Sequence, residues 1–462
     1  MAGNSAQLRD DFKRDGVCRR TPTLRRSGPG VGLAATAAAG ALALLAGCSS
    51  SGGSGGASGG APSGTLRIAV SSADSSDAAF RAIDAAFSKQ YPNVKIQFDA
   101  IPNNSYQAAK SSRLTAGNVD VLVADPVQVP SYASQSAESD DALAADHGLF
   151  LDLTNEPFMK DYTPTLLKSI AYKGKQYTIP TGVSYYTGVF YNENMFKRLG
   201  LSVPTTWSEF VALNAKLKAD NVTPLGIGGK DSWPAGLTML ASVQGLFPTA
   251  ADKDKLAESL WKRQVSLSSS TNVQVLQQVS QMYSWAEPNF AGVAYASVPA
   301  GFAAGQYAMT PDGTWDEPTI AAAVGSKFQF GYFPIPTSNS AADNATLGGK
   351  VDLRLAVASS TKNKTAALAY LAFFSDPKNY ATYVKVSGTA PAEPNIPDSA
   401  FLQGISKYTG TFAPAWDTIW VANTNSGAAA TFPFNYPGVA PIGGGSATSA
   451  AQAAEQDWLA GF

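Results

Sequence analysis

The chain has 462 residues, 45% hydrophobic and only 15% charged, with two Cys and one His. That length supplies two or three domains and a large buried core, while 34 Lys plus Arg against 35 Asp plus Glu exclude the basic face of a nucleic-acid binder. Two cysteines build neither a disulfide framework nor a thiolate zinc cluster, and a lone histidine excludes a two-His metal motif, so no metal or cofactor is expected.

Residues 1–26 carry seven cations against three acids, and residues 31–47 that follow hold no charge. A positive start, an apolar run and a small-residue cleavage site read as a secretory signal, 1–47. A retained membrane helix needs about 20 apolar residues. Leu45-Ala46-Gly47-Cys48 resembles the bacterial lipobox, which implies that Cys48 becomes the first mature residue and carries a lipid. Arg19-Arg20 and Arg25-Arg26 leave general and twin-arginine export both open. Residues 48–462 then hold 27 basic and 32 acidic side chains, and Cys48 is their only thiol. The Ser/Gly-rich run 49–64 is expected to be a tether with a reach of about 20–25 Å. Its match to G-x-S-x-G, Gly52 to Gly56, lacks the strand and helix that such a nucleophile turn needs.

From Thr65 the pattern alternates strand and helix. Leu66 to Val70 reads as a strand, 77–91 as a helix with Ala79, Ile83, Ala86 and Phe87 on one face, and 94–98 as a second strand. A helix over 106–116 stops at Gly117-Asn118, and 119–124 reads as a buried strand. This order implies a mostly parallel sheet covered on both faces. Val189 to Tyr191 is a further strand. Thr206 and Glu209 fit a capping box that opens a helix, and helical segments continue to about Trp285. Residues 328–333 are strand-like, 365–374 form an Ala-rich helix, and the Gly/Pro/Ser-rich run 435–449 is expected to wrap over the surface.

Several of these segments, in order, carry a family resemblance. They include Tyr172-Lys-Gly-Lys-Gln-Tyr-Thr-Ile-Pro180, Val189-Phe-Tyr-Asn-Glu-Asn-Met-Phe196, Pro204-Thr-Thr-Trp-Ser-Glu-Phe210, and Phe302-Ala-Ala-Gly-Gln-Tyr-Ala-Met309 closed by Asp312-Gly-Thr-Trp315. Together with 87–96 and 116–121 they resemble extracellular solute-binding protein family 1, the carbohydrate-binding subunits of bacterial ABC importers. The resemblance spans about 65–400. It implies an α/β, two-lobed, periplasmic-binding-protein-like (type II) fold, each lobe a mostly parallel sheet flanked by helices, with the ligand cleft at a hinge near 180–186. The expected lobes are 65–182 with 337–376, and 183–336 with 377–462. It further implies a monomeric, non-enzymatic protein on the outer face of the cytoplasmic membrane, with a carbohydrate and permease subunits as partners. A surface glycosidase using paired carboxylates and an adhesin or sensor component are the competing readings.

A sugar offers apolar C–H faces and a rim of hydroxyls, so its cleft wants aromatic platforms edged by carboxylates, amides and Arg. In open α/β sheets the cleft lies beyond the carboxyl ends of strands, which points to Asp74 after the first strand and Asp125 after the third. Both residue types also serve as caps and turns. Of Tyr185 and Tyr186 only one can face the cleft, and Tyr185 is the candidate. Adjacent tyrosines also resemble those of ferric-iron binders in the wider superfamily. Asp231 and Trp233 lie in a loop after 225–229, and Trp315 matches the place where maltose-binding protein stacks a tryptophan on sugar. Asp352 and Arg354 fall on one face of an alternating strand, either lining the cleft or pairing with each other. Trp416 and Trp420 are helix-spaced, as core residues are, and His147 reads as a surface residue.

Overall fold

A computed structural model describes residues 61–462; the signal, Cys48 and nearly all of the tether lie outside the described residues. Twelve strands are named here: β1 (Gly64–Ser71), β2 (Val94–Ile101), β3 (Val121–Val123), β4 (Thr178–Pro180), β5 (Val183–Tyr185), β6 (Gly188–Asn192), β7 (Thr223–Leu225), β8 (Tyr307–Asp312), β9 (Phe330–Pro334), β10 (Gly348–Val351), β11 (Arg354–Val357) and β12 (Ala413–Pro414). They form a five-stranded sheet ordered β2-β1-β3-β11-β4, a four-stranded sheet ordered β7-β8-β6-β9, and a small sheet ordered β12-β10-β5.

The first sheet is built as its alternation requires. Leu66, Ile68 and Val70 of β1 enter one core with Phe80, Ile83 and Phe87 of the helix Asp74–Gln90, while Ala69 between them faces a second core with Tyr106 and Leu114. Apolar residues therefore cover both faces, as a parallel sheet needs. The helix Asn103–Ala116 ends where Gly117 takes a φ of 64°, the left-handed conformation that glycine adopts without strain. The Thr206–Glu209 capping box is present on the helix Trp207–Ala219.

Each large sheet carries one reversed strand. β11 runs antiparallel to β3 and β4, and β6 runs antiparallel to β8 and β9. β11 follows directly on β10 of the small sheet, and β6 follows on β5, so each enters its large sheet from the small one and runs against its neighbours.

Two expected crossings move. Thr337 and Asn344 bond to Ala241 and Thr205 beside the four-stranded sheet, so the crossing expected at 336/337 comes instead near β10. The helix Pro377–Ser387 packs Tyr380, Tyr383 and Val384 into the core of the five-stranded sheet, so the crossing expected at 376/377 comes after it. The C-terminal run also differs from a surface strap. Phe434, Tyr436 and Val439 are buried, and Ser446 caps the helix Ala447–Leu459, whose Trp458 packs against Trp261 and Trp420. Polar composition set the expectation, but the few large apolar residues decide where the chain goes.

Candidate functional site

The carboxyl ends of β1 and β8 face one hollow of about 290 Å³. On one side stand Ser71, Ser72, Ala73 and Ser76, where β1 turns into its helix, with Asn103 hydrogen-bonded to Ser71. On the other stand Tyr186, Trp233 and Trp315, with Lys350 of β10 and Asp352 between β10 and β11 completing this side. The lobes touch at this rim, where the Ser75 hydroxyl donates to the Trp315 carbonyl at 2.6 Å.

Trp315 follows β8 on the short turn Thr314–Asp316. Its ring lies 5.5 Å from Tyr186 and 6.2 Å from Trp233, within the range of aromatic pairs. The indole N–H donates to the Tyr295 hydroxyl at 3.0 Å, and that hydroxyl donates to Asp312 at 3.1 Å. A part-buried chain of hydrogen bonds therefore fixes the angle of the platform. Lys350 Nζ stands 5.4 Å from the Tyr186 ring and 5.9 Å from the Trp315 ring. The Tyr186 hydroxyl donates to Asp417 at 2.7 Å, and Asp352 accepts from Ser184 at 2.6 Å. An aromatic wall with a cation, two carboxylates and several hydroxyls at its edge suits a ligand having both apolar faces and hydroxyl donors and acceptors.

The predicted residues separate. Trp315, Trp233 and Asp352 line the hollow. Tyr185 does not: it packs into the core of Phe190 and Tyr332, and its neighbour Tyr186 takes the cleft position. The two rings diverge, so they do not converge on one metal. Asp74 is exposed in the first turn of its helix, outside the lining. Asp231 accepts the Tyr295 N–H at 2.7 Å and so acts through the platform's support. Asp352 and Arg354 do not share a face, because the ladder breaks between β10 and β11. Arg354 is 9% exposed and pairs with Asp125 in a neighbouring hollow. Burial draws its pKa down to about 10, which leaves it a cation at neutral pH. Lys350, Asp417 and Tyr436 also line the hollow and carry no sequence signal. Trp416 and Trp420 are buried, stacked at 5.5 Å, and His147 is exposed. Among the described residues no three His, Cys, Asp or Glu side chains are grouped to hold a metal.

Beneath Trp315, Asp312 and Asp316 are 1% and 4% exposed. Burial, then the charge of Asp316, pushes Asp312 well above the usual carboxylate range. Burial takes Asp316 from 3.8 up to about 7. Both groups bind a proton more tightly folded than unfolded, so stability should fall as pH rises above about 4, with the Asp316 share lost as pH passes through about 7. Asp316→Asn should reduce that slope in urea unfolding followed across pH, leaving the part due to the burial of Asp312, Asp84 and Glu393. An unaltered slope would place the titration elsewhere.

A cleft between two α/β lobes, opening at the carboxyl ends of their strands and walled by aromatic rings, defines a two-lobed ligand-capturing protein of the type II class. The chain belongs to the family of bacterial extracellular solute-binding proteins, whose model matches residues 71–381. It is 23% identical over 319 residues to the multiple sugar-binding protein of Streptococcus mutans, covering 68% of this chain and 72% of that one. It is 26% identical over 262 residues to a probable sugar-binding periplasmic protein of Mesorhizobium japonicum, covering 55% and 60%. In fold it is similar to the solute-binding protein RafE, from Streptococcus pneumoniae, in complex with raffinose, with a TM-score of 0.70, 22% identity, and 86% of this chain and 99% of that one covered. A sugar transporter of Bacillus licheniformis in complex with stachyose superposes with a TM-score of 0.68 at 16% identity, covering 86% and 100%. Among the described residues no helix is long and apolar enough to cross a membrane.

Proposed function

We propose that the protein captures a carbohydrate outside the cell and delivers it to the permease of an ABC importer, binding without chemical change. The single observation that carries this reading is the wall of Trp315, Tyr186 and Trp233 edged by Lys350, Asp352 and Asp417, the surface a pyranose ring needs. The names of the relatives and the sugars in the solved neighbours support it. The lobes are taken as 61–181 with 352–396, and 182–351 with 397–462. Ligand contacts to both lobes would favour a closed state. The lipobox and the Ser/Gly run support an anchor of lipid on Cys48 at the outer face of the cytoplasmic membrane.

The engagement of the carboxylates supports binding rather than hydrolysis. Asp417 accepts from Tyr186 and Asp352 from Ser184, so both are held as hydrogen-bond acceptors whose remaining lone pairs suit sugar hydroxyls. In a thermal-shift panel of carbohydrates, amino acids, polyamines and short peptides, at least one carbohydrate should raise the melting midpoint, because ligand stabilises only the folded form. It should be recovered intact. A midpoint moved only by another class would overturn the reading.

A further inference from the structure

The cleft continues past the aromatic wall. A second hollow of about 760 Å³ opens beside the first, and the two share the side chains of Lys350 and Asp417. Its walls again come from both lobes: Asp125 and Gln128 after β3 on one side, Phe412 and Trp420 on the other, with Arg354 below. A hollow of about 290 Å³ stands at the small end of pockets that hold small molecules, roughly 300–1,000 Å³. The neighbouring space is more than twice as large.

The chemistry of the second hollow repeats that of the first in different residues. Phe412 is 48% exposed, immediately before β12, with its ring 6.5 Å from that of Tyr185. It borders the hollow and offers a flat apolar face to the C–H surface of a sugar ring. Around it stand groups that suit hydroxyls. Asp125 pairs with the buried Arg354 yet keeps its side chain 59% exposed, so carboxylate acceptor sites remain open to the space. Gln128 adds an amide, which both donates and accepts. At the junction Lys350 has donors only and Asp417 acceptors only, a complementary pair for the oxygens that flank a glycosidic bond.

We infer that the second hollow is a further sugar-ring subsite with Phe412 as its platform, and that the ligand is an oligosaccharide of at least two rings lying across Lys350. This rests on the carbohydrate reading above. Arg354 positions Asp125, and the aromatic wall at Trp315 seats the other ring.

Calorimetric titration of the full chain with mono-, di-, tri- and tetrasaccharides that share a terminal residue tests it. Affinity should rise at least about tenfold from one ring to two or more. Phe412→Ala should lower affinity for the longer sugar roughly five- to tenfold, leave its terminal monosaccharide unaffected, and keep the melting midpoint, since the ring is half exposed. Phe412→Trp should restore binding. A monosaccharide bound as tightly as every longer sugar containing it, or a Phe412→Ala protein that binds the longer sugar normally, overturns the inference and leaves the carbohydrate reading standing. Binding of no sugar of any length removes that reading as well.

Discussion

Replacing Trp315 with alanine should weaken carbohydrate binding at least tenfold while the melting midpoint falls only slightly. The ring is half-buried and lines the first hollow, so the substitution removes a ligand-facing surface more than a core filling. A stacked aromatic contributes about 0.5–1.5 kcal/mol beyond the apolar area it covers, and together these losses exceed the 1.4 kcal/mol of a tenfold change. Orientation adds to the effect. Tyr295 takes the indole N–H, Asp312 takes the Tyr295 hydroxyl, and Asp231 takes the Tyr295 backbone N–H, so the ring is held in place before ligand arrives. Trp315→Phe keeps an aromatic face but loses the N–H anchor, and its affinity should fall between the two. Titration with the sugar that shifts the midpoint most checks both variants. Trp315→Ala within twofold of the parent would take this residue out of the site.

How far such residues can be located from sequence depends on the length of the element that carries them. β1, β2 and the helices between them are long enough for the change from a period of 2 to one of 3.6 to show, and Pro92 and Gly117 punctuate them. β4, β5 and β12 have three, three and two residues, too short for any period, and β5 finds its partner β10 more than 160 positions away. The consequences fall on the site. Alternation states that Tyr185 and Tyr186 face opposite ways, but only the pairing of Tyr185 with Gly349 decides which ring enters the cleft. An unbroken strand puts Asp352 and Arg354 on one face, and the break after Val351 sends them into different hollows. Asp125 follows β3 as its sequence position indicates, yet its partner Arg354 lies on β11, brought beside β3 by the crossing between lobes. Trp315 and Trp233 were legible because a large aromatic next to a strand end has few places to go besides core and cleft.

Trp416→Ala should give the largest loss of stability among these variants, about 3–5 kcal/mol, the range for emptying a large aromatic site. Trp416 is 0% exposed, stacked on Trp420 at 5.5 Å and 5.7 Å from Phe434. Trp420 in turn meets Trp458 at 5.1 Å, so the C-terminal helix is held to the second lobe through a run of indoles. Such a rigid cluster collapses poorly into a void, which puts the cost at the upper end. The Trp416 indole N–H has no hydrogen-bond partner among the described residues, so Trp416→Phe deletes an unpaired donor along with part of the ring, and its cost should be smaller, about 1–2 kcal/mol. The next residue couples this core to ligand: Asp417 accepts the Tyr186 hydroxyl and borders both hollows. Trp416→Ala should therefore lose affinity as well as stability, whereas Trp416→Phe should bind nearly as the parent does. Urea unfolding followed by circular dichroism, with sugar titration of each variant below its transition, separates the two effects. A loss under about 1 kcal/mol for Trp416→Ala would mean that the void is refilled, and that the indole run does not brace the wall of the cleft.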